Sequence, residues 1–166
     1  MTVSASRQTQ IADWWPQRVV WPVAANTTYY AGSMMADAGG IAAPVSAASG
    51  EKFIGVTETD SDIFALGTTA PYQFPSLTII RRGKFRFFTT AGDQYTSGMQ
   101  VYIGTDSQTV TSIATTNTAV GWVDPEQFVK LSLNNTTVSA INGGSGVLLD
   151  VWICPQFPTV TGAVAT

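Results

Sequence analysis

The residue types that usually carry enzyme chemistry are scarce in this chain of 166 residues. It has no histidine, so the commonest general base, metal ligand and pH-sensitive group is missing. Its single cysteine, Cys154, follows an apolar run, and no histidine can activate its thiol. We therefore expect a packed thiol at Cys154, no disulfide within the chain and no nucleophilic catalysis.

Carboxylates offer the remaining chemistry. Asp60 and Asp62, with Glu58 nearby, could supply oxygen ligands to Ca²⁺. Their spacing lacks the glycine and the terminal glutamate of an EF-hand loop, so a solvated acidic turn over residues 58–62 is the favoured interpretation. No carboxylate pair stands in a context that suggests a raised pKa. We predict a protein that is not an enzyme and that has no cofactor and no metal ligands.

Half of the eight basic residues fall within six positions of the chain. Lys84 and Arg86 alternate with phenylalanines, which predicts a strand with the charges on one face and the rings on the other. Three interpretations stay open: a solvated face, a contact with an acidic partner surface and, least favoured, a platform for single-stranded nucleic acid. A net charge of −3 argues against the last, so no nucleic-acid partner is predicted. The basic run consists of Arg81, Arg82, Lys84 and Arg86.

Three of the five tryptophans, Trp14, Trp15 and Trp21, lie within the first 21 residues. A proline follows two of them and biases those two towards extended backbone. We predict that residues 1–24 form an extended arm whose tryptophans, with Arg18, anchor a partner. Large exposed apolar patches usually mark interaction surfaces. The open alternative is that this arm packs on its own domain.

The composition limits the class of protein. Charged residues make up 11% of the chain, against about 25% in an average soluble protein, while hydrophobic residues make up 45%. Abundant aromatic and β-branched residues argue against disorder. No stretch approaches the roughly 20 apolar residues that cross a bilayer, and the N-terminus lacks an export signal. We therefore expect one domain, no membrane partner and a surface partly covered by neighbouring proteins.

Short strands at regular spacing predict an all-β domain, either a barrel or a sandwich. Residues 36–50 are small and glycine-rich and predict a loop or an irregular strand. Gly83 predicts a bulge or a hairpin turn. Residues 25–155 form the expected domain, and residues 156–166 the expected C-terminal tail. The predicted strands cover residues 51–57, 77–82, 84–89, 100–104, 109–113, 118–124, 128–133 and 147–153.

The order of these segments resembles the capsid decoration, or cement, proteins of tailed bacteriophages. The resemblance begins with the run from Gly83 to Ile103, which includes Gly92-Asp93 and Val101-Tyr102. A short Val-Gly-x-Val strand follows. The turn between Gly92-Asp93 and Val101-Tyr102 is longer here than in the family, and the N-terminal arm is not part of the resemblance. The other matching segments are Phe53–Thr57, Val120–Val123 and Leu148–Ile153, so that the resemblance covers residues 27–155.

The resemblance implies a small β-barrel or β-tulip domain that forms a homo-oligomer, commonly a homotrimer. Such a protein lies on the outer surface of the virion head and is assembled in the host cytoplasm. Its implied partners are the major capsid protein, at the junctions of neighbouring subunits after expansion, and copies of itself. A ligand that binds only the mature lattice stabilises that lattice by mass action.

Two hypotheses follow for the contact residues and the function. Residues 1–24, with Trp14, Trp15 and Trp21 as buried anchors, are expected to be the main contact, because aromatic residues dominate interface energetics. The basic run from Arg81 to Arg86 is a second, weaker candidate. The alternative function is an adhesin-like or carbohydrate-binding β-module displayed on a virion or tail, in which tryptophans stack on sugar rings.

Overall fold

The chain is described by a computed structural model that covers residues 17–24, 27–46, 50–58, 61–63, 75–131 and 137–154. These residues form a closed β-barrel, a second five-stranded β-sheet, two small two-stranded sheets and one short helix, so the predicted all-β barrel class is confirmed. No helix among the described residues is long and apolar enough to span a membrane. The strands are β1 (Arg18–Pro22), β2 (Thr27–Tyr29), β3 (Met34–Asp37), β4 (Ala42–Pro44), β5 (Phe53–Thr57), β6 (Ser61–Ile63), β7 (Ser76–Ile80), β8 (Gly83–Thr89), β9 (Gln94–Tyr95), β10 (Gln100–Ile103), β11 (Thr109–Thr111), β12 (Ala119–Val123), β13 (Ile141–Asn142) and β14 (Leu148–Ile153), and the helix is α1 (Pro125–Leu131).

The barrel consists of five strands in the order β10-β11-β8-β14-β12. Neighbouring strands are antiparallel, except that β11 and β8 are parallel. The longest ladder joins β8 to β14, where Phe85 lies opposite Val151 and Phe87 lies opposite Leu149. All four of these side chains are buried. Because successive residues of a strand point to opposite faces, the residues between them lie on the outside of the barrel.

The second sheet has the strand order β1-β7-β5-β3-β4, and its inner strands β3 and β5 are buried on both faces. Met34, Val56 and Ile80 belong to the core that fills the barrel, whereas Met35 and Ile79 belong to a separate core on the other side. Burial on both faces explains why β3 and β5 do not alternate between polar and apolar residues. A bridge between Val23 and Ala42 connects the end of β1 to β4, so the two edges of the sheet meet there.

Gly121 allows two barrel strands to approach closely. It lies in β12 opposite Ile153 of β14, and a β-carbon at Gly121 would overlap the carbonyl oxygen of Trp152. Val120, beside it, sits where the pairing of β12 with β10 shifts by one residue. Only glycine fits at this point of the barrel wall, which explains the Val-Gly-Trp-Val sequence of β12.

The prediction of a strand over residues 128–133 is wrong, because residues 125–131 form helix α1. Asp124 caps the helix: its side chain accepts a hydrogen bond from the backbone N–H of Glu126 at 3.2 Å. Pro125 occupies the first helical position, where its missing N–H costs nothing. Of the apolar residues in α1, only Phe128 is buried, while Val129 and Leu131 are exposed. The apolar residues at positions 129 and 131 therefore do not mark the buried face of a strand.

Three smaller expectations also differ from the structure. Gly83 is neither a bulge nor a hairpin turn, because it begins β8 in regular pairing with Ile153 while β7 lies in the other sheet. Ser61 and Asp62, which were expected in an acidic turn over residues 58–62, belong to β6, which pairs with β2, and residues 59–60 of that turn lie outside the described residues. Cys154 is exposed, not packed, because it continues the outward-facing positions of β14.

Candidate partner-binding surfaces

Only part of the predicted N-terminal contact, residues 17–24, lies among the residues that the structure describes. Trp14 and Trp15 lie outside the described residues. Trp21 lies in β1, which is extended as predicted and pairs with β7 from Arg18–Ile80 to Pro22–Ser76. Its half-buried side chain packs against the second core of its own chain. The described part of the arm is therefore a strand of the domain's own sheet, and a contact role for residues 1–16 stays a prediction.

Arg18 is held by an ion pair. Its Nη2 atom lies 2.6 Å from Glu58 Oε1, and its Nε atom lies 2.9 Å from the same oxygen. This pair joins β1 to the residue that follows β5. Because the side chain of Arg18 is half exposed, the pair contributes little to stability and serves mainly to fix the position of β1.

The basic run is dispersed by the fold. Arg81 is half-buried after β7, and Arg82 is exposed before β8. Lys84 and Arg86 share the outer face of β8, with the phenylalanines facing inward, as the alternation predicts. Lys84 is only 8% exposed, so it is not available as a free surface charge. Four adjacent basic residues in sequence therefore do not form one continuous basic patch.

Lys84 lies at the centre of a cluster on the outside of the barrel. Its Nζ atom lies 2.7 Å from Asp124 Oδ2 and 3.1 Å from Glu126 Oε2. It also lies 5.5 Å from the centre of the Trp152 ring, within the range of a cation–π contact. The indole N–H of Trp152 donates to Asp124 Oδ1 at 3.2 Å. Asp124 thus caps the helix, neutralises Lys84 and fixes the plane of Trp152.

The electrostatics of this cluster favour the charged forms. The hydrogen bond to Asp124 raises the pKa of Lys84, although burial acts in the opposite direction. Burial disfavours the carboxylate of Asp124, but hydrogen bonds from Lys84, from the Glu126 backbone and from Trp152 outweigh it and lower its pKa below the ordinary value. The pair is therefore ionised across the neutral range.

Arg86 has a partner within the chain as well. Its Nε atom lies 2.7 Å from Asp150 Oδ1, the residue directly opposite on β14. About half of the Arg86 side chain remains exposed, whereas that of Asp150 is buried. The hydrogen bond to Asp150 raises the pKa of Arg86. Both cations on the outer face of β8 are thus already neutralised within the chain.

Trp122 and Trp152, for which the sequence predicts no contact, form an exposed pair. Trp122 of β12 lies directly opposite Trp152 of β14, and they are 39% and 36% exposed. Opposed residues of neighbouring antiparallel strands have their β-carbons about 5 Å apart. The alternation in Leu148–Ile153 could have predicted the exposure of Trp152. Asp150 and Trp152 are two residues apart in one strand, so both must lie on its polar outer face.

These residues make up one surface, which we call the tryptophan face. One row crosses four strands, with Gln100 opposite Trp122, Trp122 opposite Trp152, and Trp152 opposite Lys84. At a strand spacing of about 4.8 Å, the row is about 14 Å long. The members of the tryptophan face are Lys84, Arg86, Gln100, Trp122, Asp124, Glu126, Asp150 and Trp152.

The arrangement suits binding. Fixed aromatic side chains supply contact area at a low cost in conformational entropy, and charges that are already paired within the chain need no partner across an interface. Among the described residues, no group of three or more histidine, cysteine, aspartate or glutamate side chains could hold a metal ion. No protein-family model and no curated protein matches the sequence.

Proposed function

We propose that the chain is a structural protein of a bacteriophage virion that binds the outer surface of the mature head and holds neighbouring major capsid subunits together. It acts as a homo-oligomer and without catalysis. Stabilisation then follows from binding alone, because a protein that binds only the expanded lattice makes that lattice more stable. Attachment of several subunits at once slows dissociation further.

The observation that carries a binding function is the tryptophan face. Trp122 and Trp152 are exposed, while the cations beside them are neutralised within the chain. Interfaces are enriched in aromatic residues and poor in unpaired charge at their centres, and this surface has both properties. The phage head as the partner comes from the sequence resemblance, with which the barrel fold is consistent.

The structure also defines where the N-terminal contact must be tested. Residues 18–22 belong to the sheet, and their removal would expose the backbone of β7 and part of the second core. A deletion of residues 2–16 instead leaves β1 and the Arg18–Glu58 ion pair in place. That deletion separates contact with the head from folding of the domain.

The experiment is cosedimentation with expanded heads that lack decoration. The full chain is expected to pellet with expanded heads and not with unexpanded shells. The deletion of residues 2–16 and the double variant W14A/W15A are expected to stay folded and to lose most of the binding. The exposed Ile113, which lies outside the tryptophan face, provides a control in the variant I113A, which should bind normally.

Two results would count against this function. The full chain could fail to pellet with expanded heads at any concentration, or it could bind a glycan array in place of heads. The second result would identify the carbohydrate-binding alternative, in which tryptophans stack on sugar rings. Normal head binding by the deletion variant would remove residues 2–16 from the contact and leave the function itself in place.

A further inference from the structure

We draw no further inference here: the strongest candidate, the exposed pair of Trp122 and Trp152 on the outer face of the barrel strands β12 and β14, carries none because nothing among the described residues shows what covers it.

Discussion

Removal of the Lys84 charge is the perturbation whose effect on folding follows most directly from the structure. In the variant Lys84→Met the aliphatic stem persists and can still cover Trp152, but Asp124 loses its cation. The side chain of Asp124 is 2% exposed, so its carboxylate would be left buried without a counter-charge. Breaking a buried pair by removing one partner typically costs about 3–5 kcal/mol. We expect a loss of that size in the free energy of unfolding at pH 7.

Urea unfolding measures this loss. With a slope of about 2 kcal/mol per molar urea, a loss of about 4 kcal/mol lowers the midpoint by about 2 M. The double variant K84M/D124N should recover at least half of the loss, because asparagine still caps α1 and still accepts the indole N–H of Trp152. Arg86→Met is the matched control on the same face and should cost only about 1 kcal/mol, because water can replace the half-exposed guanidinium.

The stabilisation that Asp124 contributes to folding depends on pH. The pKa of Asp124 is lowered in the folded protein, so the stability that it contributes is present above its ordinary value of 3.8 and is lost as the pH falls through the folded value. In K84M the carboxyl group protonates at a higher pH, since burial is no longer opposed by Lys84. The difference between wild type and K84M should therefore narrow as the pH falls from 7 towards 3. A loss below about 1 kcal/mol at neutral pH, or no recovery in the double variant, would show that Lys84 does not stabilise the buried Asp124 carboxylate.

Three further predictions concern the barrel. Gly121→Ala is expected to lower the free energy of unfolding in urea by about 3 kcal/mol or more, because its β-carbon would overlap the Trp152 carbonyl oxygen. The control Gly144→Ala has ordinary space around it and should cost about 1 kcal/mol or less. Equal losses would contradict the close approach of β12 and β14. Asp93→Asn should lower the free energy of unfolding by about 1–3 kcal/mol. Asp93 Oδ2 accepts hydrogen bonds from the hydroxyl of Thr111 at 2.5 Å and from the N–H of Ser112 at 2.7 Å. An unchanged thermal midpoint would argue against a stabilising role for these hydrogen bonds. Phe128→Ala should cost about 3–5 kcal/mol because it empties a buried site under α1, while Val129→Ala, which is exposed, should change the urea midpoint little.

Much of the fold could be predicted from hydrophobic alternation. The strands near residues 53–57, 76–80 and 83–89 lie close to their predicted positions, and β10 and β11 lie within the predicted ranges 100–104 and 109–113. Alternation also assigns Lys84 and Arg86 to one face of β8. These features depend on residues close in the chain, for which the two-residue period is a sufficient guide.

Helix α1 could not be found in this way because its residues alternate by chance. Phe128-Val129-Lys130-Leu131 matches a strand pattern, but of these four residues only Phe128 is buried and packs in the core. The Asp124-Pro125 pair follows β12 and is also a signal for the start of a helix, because proline is favoured at the first helical position. The strand-like pattern of the residues after Pro125 masks that signal.

The candidate site was only partly accessible to sequence reasoning. The alternation indicates that Lys84 and Arg86 face outward, but it does not indicate that Asp124 and Asp150 neutralise them. Those carboxylates lie 40 and 64 positions away in the chain, and only closure of the barrel brings them together. Trp122 and Trp152 are opposed for the same reason. The sequence predicts a contact through Trp14, Trp15 and Trp21 instead, because three of the five tryptophans lie near the N-terminus.

The proposed function is attachment to the outside of an expanded phage head. Electron cryomicroscopy of undecorated expanded heads, imaged with and without the full chain, is the decisive experiment. We expect added density on the outer surface at the junctions between major capsid subunits, and a higher temperature of head disruption in the same sample. Heads that show no added density and no stabilisation at saturating protein would contradict it.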